Sequence, residues 1–304
     1  VGEPDGSTHP DIVAAGCRAL EEGYTRYTPN AGYLNLREAI AQTALPVLGY
    51  NSDTEIIVTL GAMEALSLLF NTILELGDEV IIPEPAWVNY GSMIAYRGGV
   101  PVLVGCRMEH DFRVCVEDLE AAISPKSKAL LLTNPSNPTG AFLTREDLEE
   151  IAAFAIRHDL LVISDEIYAK LLYDGLSATS IAELPGMRER TVVVNGFSKA
   201  YNMTGWRIGY AMGPAPIIKK MVLLQENVCS GPPAAVQMAA LYALSRPDIP
   251  LEAARVFEHK RDFMYEGLSS IEGITCTKPS GAFYIFPNVS AVGLDVTKFC
   301  YDLL

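Results

Sequence analysis

The residues that could do chemistry in this chain stand just after short apolar runs. Lys199 follows Thr191-Val-Val-Val-Asn195 by way of Gly196-Phe-Ser198. A lysine at the end of a buried strand can lose its water, which lowers its pKa and frees the amine to attack a carbonyl. Asp165, with Glu166, Ile167 and Tyr168 behind it, follows Leu160-Leu-Val-Ile-Ser164. Asn134-Pro-Ser-Asn137-Pro-Thr-Gly140 follows Ala129-Leu-Leu-Leu-Thr133, and Trp87 comes shortly after Glu79-Val-Ile-Ile82. Gly61, Ala62 and Met63 follow Ile56-Ile-Val-Thr59, where a helical pattern begins. An amine, a carboxylate, an amide, a phenol and an indole on one rim can hold an aromatic, phosphorylated, carbonyl-bearing molecule. Each has a plainer reading. A lone lysine is usually a solvated cation, Asp165 could simply cap a helix, and Asn137 sits in turn chemistry. Tyr168 could be a boundary aromatic, Trp87 a core residue, Gly61–Met63 a tight turn and Arg207 a surface charge.

The elements that must position these groups alternate along the chain. Continuous rather than alternating hydrophobicity predicts strands buried on both faces, as in a parallel sheet. Besides the runs above, Val100-Pro-Val-Leu-Val104 has this character. Helices are predicted over 34–48, 62–76, 144–158, 215–227, 233–244 and 250–270. The clearest starts at Thr144, an N-cap followed by Glu146 and Asp147 near the positive end of the dipole. Strand–helix alternation predicts an α/β fold, a three-layer α/β/α domain around a mostly parallel sheet. Ligands in such sheets sit at the carboxyl ends of the strands. After Phe257 one long helix leads to short strands expected near Ile274 and Phe283. Residues 11–256 are therefore read as the large domain, and 1–10 with 257–304 as part of a smaller α+β domain.

Composition narrows the classes. With 304 residues, 49% hydrophobic and 20% charged, the chain is an ordinary globular protein with room for one large or two ordinary domains. A net charge of −14 argues against a nucleic-acid face or an anionic membrane surface. The six cysteines form no C-x-x-C pair, so reduced thiols and a cytoplasmic location are expected. No Cys/His spacing suits a metal. The longest uncharged run, Ala129 to Thr144, is broken by prolines and a glycine and cannot be a membrane helix.

Asn134–Gly140, Ser164-Asp-Glu-Ile-Tyr168 and Ser198-Lys-Ala-Tyr-Asn-Met-Thr-Gly-Trp-Arg-Ile-Gly-Tyr210 together resemble the core motifs of the fold-type I, pyridoxal-phosphate-dependent aminotransferases of class I/II. Gly2-Glu-Pro-Asp5 and Tyr27-Thr-Pro-Asn-Ala-Gly32 with Leu36-Arg37 resemble the N-terminal motifs of that family. The likeness runs over nearly the whole chain, and the ordered set is far more specific than any one motif. It implies that Lys199 holds pyridoxal 5′-phosphate as a Schiff base and then shuttles a proton. It implies that Asp165 pairs with the pyridine nitrogen, so that the ring becomes an electron sink. Asn137 and Tyr168 match the donors to the phenolate oxygen, and Trp87 the ring-stacking aromatic. Gly61, Ala62, Met63 and Arg207 match the phosphate site, with Trp206 and Ile208 suggesting a buried arginine. Tyr27 resembles a tyrosine that reaches the phosphate from a partner subunit, which implies a homodimer with shared sites. Gly2 and Asn137 lie where the family meets its substrate.

The resemblance implies transfer of an amino group from aspartate or an aromatic amino acid, with 2-oxoglutarate the usual acceptor. Three departures stand out. Gly196 replaces a phosphate-binding Ser or Thr, and Ser198 beside it is expected to point elsewhere. Pro4-Asp5-Gly6 lacks the usual Phe. The arginine for the substrate α-carboxylate has no counterpart before Leu304, so 304 reads as a trimmed length. Rival readings are β-elimination on the same cofactor, as in C–S lyases, and the sensor domain of a transcription regulator. A catalytically dead relative is disfavoured because Lys199, Asp165 and Arg207 are all present.

Overall fold

The computed structural model describes residues 2–293 and 295–303. Seven strands form one sheet: β1 Ile56–Thr59, β2 Glu79–Glu84, β3 Val100–Gly105, β4 Ser127–Thr133, β5 Leu161–Asp165, β6 Thr191–Gly196 and β7 Gly209–Met212. Their order across the sheet is β1-β7-β6-β5-β4-β2-β3. β7 runs antiparallel to both neighbours, and the other adjacent strands pair in parallel. The helices are α1 Pro10–Glu21, α2 Leu34–Thr43, α3 Ala62–Ile73, α4 Asn89–Tyr96, α5 Val116–Ala122, α6 Arg145–Arg157, α7 Ala215–Val228, α8 Ala234–Leu244, α9 Asp248–Ser269 and α10 Val296–Leu303.

The expected three layers follow from the period of two along each strand. Ile56 and Val58 enter a core with Leu36 and Ile40 of α2 and Ala239 and Ala240 of α8. Ile57 between them points the other way, into a core with Leu66 and Leu69 of α3 and Met221 of α7. Farther along the sheet, Leu130, Leu132 and Val162 meet Ile151, Phe154 and Ala155 of α6. Both faces are thus covered, which is why these strands read as continuous apolar runs. The start of α6 forms as expected: Thr144 Oγ accepts from Asp147 N, and Asp147 accepts from Thr144 N.

Several boundaries differ from the sequence expectation. The helix expected over 34–48 ends at Thr43 and resumes as a 3₁₀ turn over Pro46–Leu48, because Pro46 cannot continue an α-helix. α3 stops at Ile73, where Leu74 turns extended. α1, α4, α5 and β7 are additional to the sequence expectation. β7 is four residues long and opens on a glycine, so propensity gives it no signal. The strands expected near Ile274 and Phe283 do not form among the described residues; only isolated bridges join Thr275 to Asn288 and Leu172 to Gly281. α9 runs unbroken through 256 and 257. No helix among the described residues is long and apolar enough to cross a membrane.

One close approach in this sheet sets the position of the turn before α3. Gly196 at the end of β6 pairs with Gly209 at the start of β7. A Cβ on Gly209 would lie 2.6 Å from Ala62 N and from Gly61 C, and one on Gly196 would lie 3.1 Å from Gly209 Cα. Two bare backbones therefore let that turn settle against the sheet.

Candidate active site

A cavity of about 710 Å³ opens at the rim where β4, β5 and β6 end. Lys199, Asp165, Tyr168, Asn137, Trp87, Ala62, Met63, Arg207 and Gly2 all line it. Gly61 stands one residue behind, as the N-cap of α3 with φ of +82°. Tyr27 lies outside the cavity, 93% exposed.

Asp165 ends β5 and is buried. Its Oδ2 accepts from the Tyr90 hydroxyl at 2.6 Å, and its Oδ1 from Ile167 N at 3.2 Å. Burial pushes its pKa up, opposed by the Tyr90 and Ile167 hydrogen bonds and the Lys199 charge. The plain N-cap reading of Asp165 thus has some substance, since it does accept from a following amide. It does not explain a full-length tyrosine aimed at the other oxygen. Tyr90 itself is buried in α4, within hydrogen-bond distance of Thr133 Oγ1 at 2.8 Å. Trp87, three residues earlier, meets the Tyr90 ring edge-on at 5.2 Å.

Lys199 follows β6 and donates from Nζ to Gly2 O at 2.6 Å. Its Nζ lies 5.9 Å from the Tyr168 ring centroid and 5.8 Å from that of Phe283. Desolvation lowers its pKa, and the Arg207 charge adds to this; Asp165 and Glu3 work against it. The result is an amine shifted toward its neutral, nucleophilic form. Tyr168 is buried, with its hydroxyl 2.7 Å from that of Tyr284. Burial raises its pKa strongly and Asn137 pulls it down, so it stays protonated, and either hydroxyl of the Tyr168–Tyr284 pair can donate to the other.

The far end of the cavity suits an anion. The first amides of α3 have no intrahelical partner and point along the positive end of the helix dipole. Gly61 offers no side chain to cap them. Arg207 folds over this turn, donating from Nη1 to Thr204 O at 2.8 Å and from Nη2 to Leu60 O at 3.4 Å. A Cβ on Gly61 would sit 2.7 Å from Arg207 Nη2. The buried context expected for Arg207 is corrected here: the residue is exposed. Its backbone takes φ of +53°, and its guanidinium reaches over the α3 turn to Leu60 O. Ser198 stands among the residues that line the cavity. Gly196, with no room for a side chain, faces Gly209 instead.

Sequence reasoning missed Tyr90, Tyr284, Glu3 and Thr204, all of which line the cavity. Tyr90 carried a usable signal, one helical turn after Trp87. Tyr284 carried little, because Gly281-Ala-Phe-Tyr284 reads as a plain apolar run.

Glu166, beside Asp165, is buried but turns away from this cavity. It accepts hydrogen bonds from Ser164 and Ser180. Burial raises its pKa to about 7, with Glu183 and Asp165 adding repulsion and the two serines opposing. A carboxyl raised in the folded state favours folding fully below its unfolded pKa, and that advantage fades as pH rises toward the folded value. From the ordinary 4.5 to about 7, this group alone should remove roughly 3 kcal/mol of stability. Glu166→Gln is expected to flatten this loss. Urea unfolding at pH 5 and pH 7 should capture about 2 kcal/mol of it, and an unchanged slope for the variant would refute the assignment.

Comparison with known proteins places this geometry. The family model for aminotransferase class I and II matches residues 1–304. An aspartate aminotransferase of Geobacillus stearothermophilus is 45% identical over 290 residues, covering 94% of this chain and 74% of the relative. The aromatic-amino-acid aminotransferase 2 of Thermococcus litoralis is 41% identical, covering 98% of this chain and 78% of the relative. The crystal structure of an aromatic aminotransferase from Pyrococcus horikoshii superposes with a TM-score of 0.95 at 43% identity, covering 98% of this chain and 81% of that one.

Proposed function

Since the chain belongs to the aminotransferase class I and II family and is a transaminase, we propose that its cavity takes pyridoxal 5′-phosphate and moves an amino group between aspartate or an aromatic amino acid and a 2-oxo acid. The observation that carries this reading is the convergence of three unlike groups in one cavity. These are a desolvated amine at Lys199, a buried carboxylate at Asp165 and an uncapped helix N-terminus under Arg207.

The donor set fits the cofactor. Arg207 and the amides of Gly61, Ala62 and Met63 would hold the phosphate. Asp165 would hold the proton on the pyridine nitrogen, and the Tyr90 bond opposes the burial that pushes that carboxyl's pKa up. Trp87 would wall one face of the ring. Asn137 and Tyr168 would donate to the phenolate oxygen. When bound, the cofactor supplies an aldehyde that condenses with amines and a ring that draws electron density from the substrate carbon. Lys199 takes the proton from the substrate Cα and returns it, a task for an amine that is neutral near physiological pH. Gly2 would lie against the substrate, and Tyr27 of each chain would complete the site of a second copy in a homodimer. Six free cysteines support a cytoplasmic placement.

Aspartate and aromatic amino acids are named for the relatives, which supports them as the donors to try first. With pyridoxal phosphate and 2-oxoglutarate, aspartate or phenylalanine should yield glutamate and the matching 2-oxo acid. Product should require the acceptor. Pyruvate and ammonia released without an acceptor would replace this reading with β-elimination.

A further inference from the structure

We propose that Tyr284 is a positioning residue that fixes the direction in which Tyr168 donates its one hydroxyl proton. This role rests on the cofactor reading of the cavity. Tyr168 has a single proton and two claimants for it, the cavity and the Tyr284 oxygen 2.7 Å away. If Tyr284 accepted that proton, Tyr168 would have none left for a phenolate in the cavity. If Tyr284 donates instead, the Tyr168 oxygen is satisfied from behind and its proton is left for the cavity. Such a chain also polarises the forward donor, making it stronger.

The setting holds Tyr284 to this task. Its ring lies 5.8 Å from that of Tyr168 at a steep angle, and Phe283 packs edge-on to Tyr168 at 5.5 Å. Phe283 in turn stacks on Phe257 of α9 at 5.2 Å. The segment is pinned to the main body by Ala282 N donating to Leu171 O at 2.9 Å, and by Ser280 N donating to Gly140 O at 2.9 Å. On the other side, Gly2 leaves space for the Tyr284 hydroxyl, which a Cβ there would strike. The phenol therefore has little freedom other than rotation of its own proton. The charged and titratable groups that line the cavity with this pair are Lys199, Asp165, Glu3, Arg207 and Tyr90.

Tyr284→Phe keeps the ring and removes only the hydroxyl. The readout is the pH midpoint of the cofactor's absorbance change in the loaded protein, which needs no turnover. Weaker donation leaves more negative charge on the phenolate oxygen beside the titrating proton, so the midpoint should rise. A rise of about half a pH unit or more is expected for one lost hydrogen bond. The same substitution made on a Tyr168→Phe background should move the midpoint no further, because its effect runs through Tyr168. An unchanged midpoint in the single variant, or an equal shift in both backgrounds, would overturn the proposal. If the unmutated protein shows no cofactor absorbance at all, the cofactor reading fails instead, so the two failures are distinct.

Discussion

Lys199→Ala lowers transamination by at least about a thousandfold, within the range that one positioned acid–base group supplies. On the proposed reading the substitution would remove two functions at once, the amine that carries the cofactor and the base that moves the substrate proton. The fold should tolerate it. Lys199 Nζ makes its hydrogen bond to the carbonyl of Gly2, in the chain's first few residues, rather than to the sheet. The check is borohydride reduction of the loaded protein followed by peptide mass mapping. The unmutated protein should carry a pyridoxyl group on Lys199 and the variant none. A pyridoxyl group found on another lysine, or a variant rate within tenfold of the original, would sink the assignment. A melting temperature close to the original would show that chemistry rather than folding was lost.

Asp165→Asn is expected to cost roughly a thousandfold in kcat. A buried charge that loses its partner forfeits about 3–5 kcal/mol, and each 1.36 kcal/mol is a factor of ten. The substitution keeps size and shape but trades one acceptor oxygen for a donor. Both oxygens of Asp165 already accept, from Tyr90 and from Ile167 N. A pyridine nitrogen facing the amide would no longer be held protonated, and the electron sink would weaken. Cofactor should still be retained through the phosphate end, which lies on another element. Steady-state kinetics and the absorbance of the protein after gel filtration test both halves. A variant that keeps kcat would remove Asp165 from the mechanism, and one that loses cofactor entirely would show that the phosphate end does not suffice.

The parts of this molecule legible in sequence were those governed by local pattern. The buried strands announced themselves because helices cover both faces of the sheet, and the α6 start because Thr144 and Asp147 cap it locally. The motif residues on strand ends were legible for the same reason: Lys199, Asp165, Asn137 and Trp87 each stand a few positions after a readable run. What escaped depends on distance in the chain. Tyr284 meets Tyr168 across more than a hundred residues, and no period or composition encodes that meeting. β7 is a strand only because β1 and β6 flank it. Arg207 was misread as buried because its neighbours are apolar. The residue stands exposed beside buried Ile208, in a left-handed backbone that an apolar sequence pattern does not announce.

The bare contact between Gly196, Gly209 and the turn at Gly61 has a consequence for inheritance. Every single-base change that alters the residue encoded by a glycine codon adds at least one carbon. At Gly209 that first carbon would lie 2.6 Å from the backbone of the turn, at Gly196 it would press on backbone at 3.1 Å, and at Gly61 it would meet the Arg207 guanidinium. The anion-binding end of the cavity is therefore bordered by positions with no gentle neighbours in mutational space. Variation in this protein can drift freely on the outer helices, while at this seam it must stand still or jump with its surroundings.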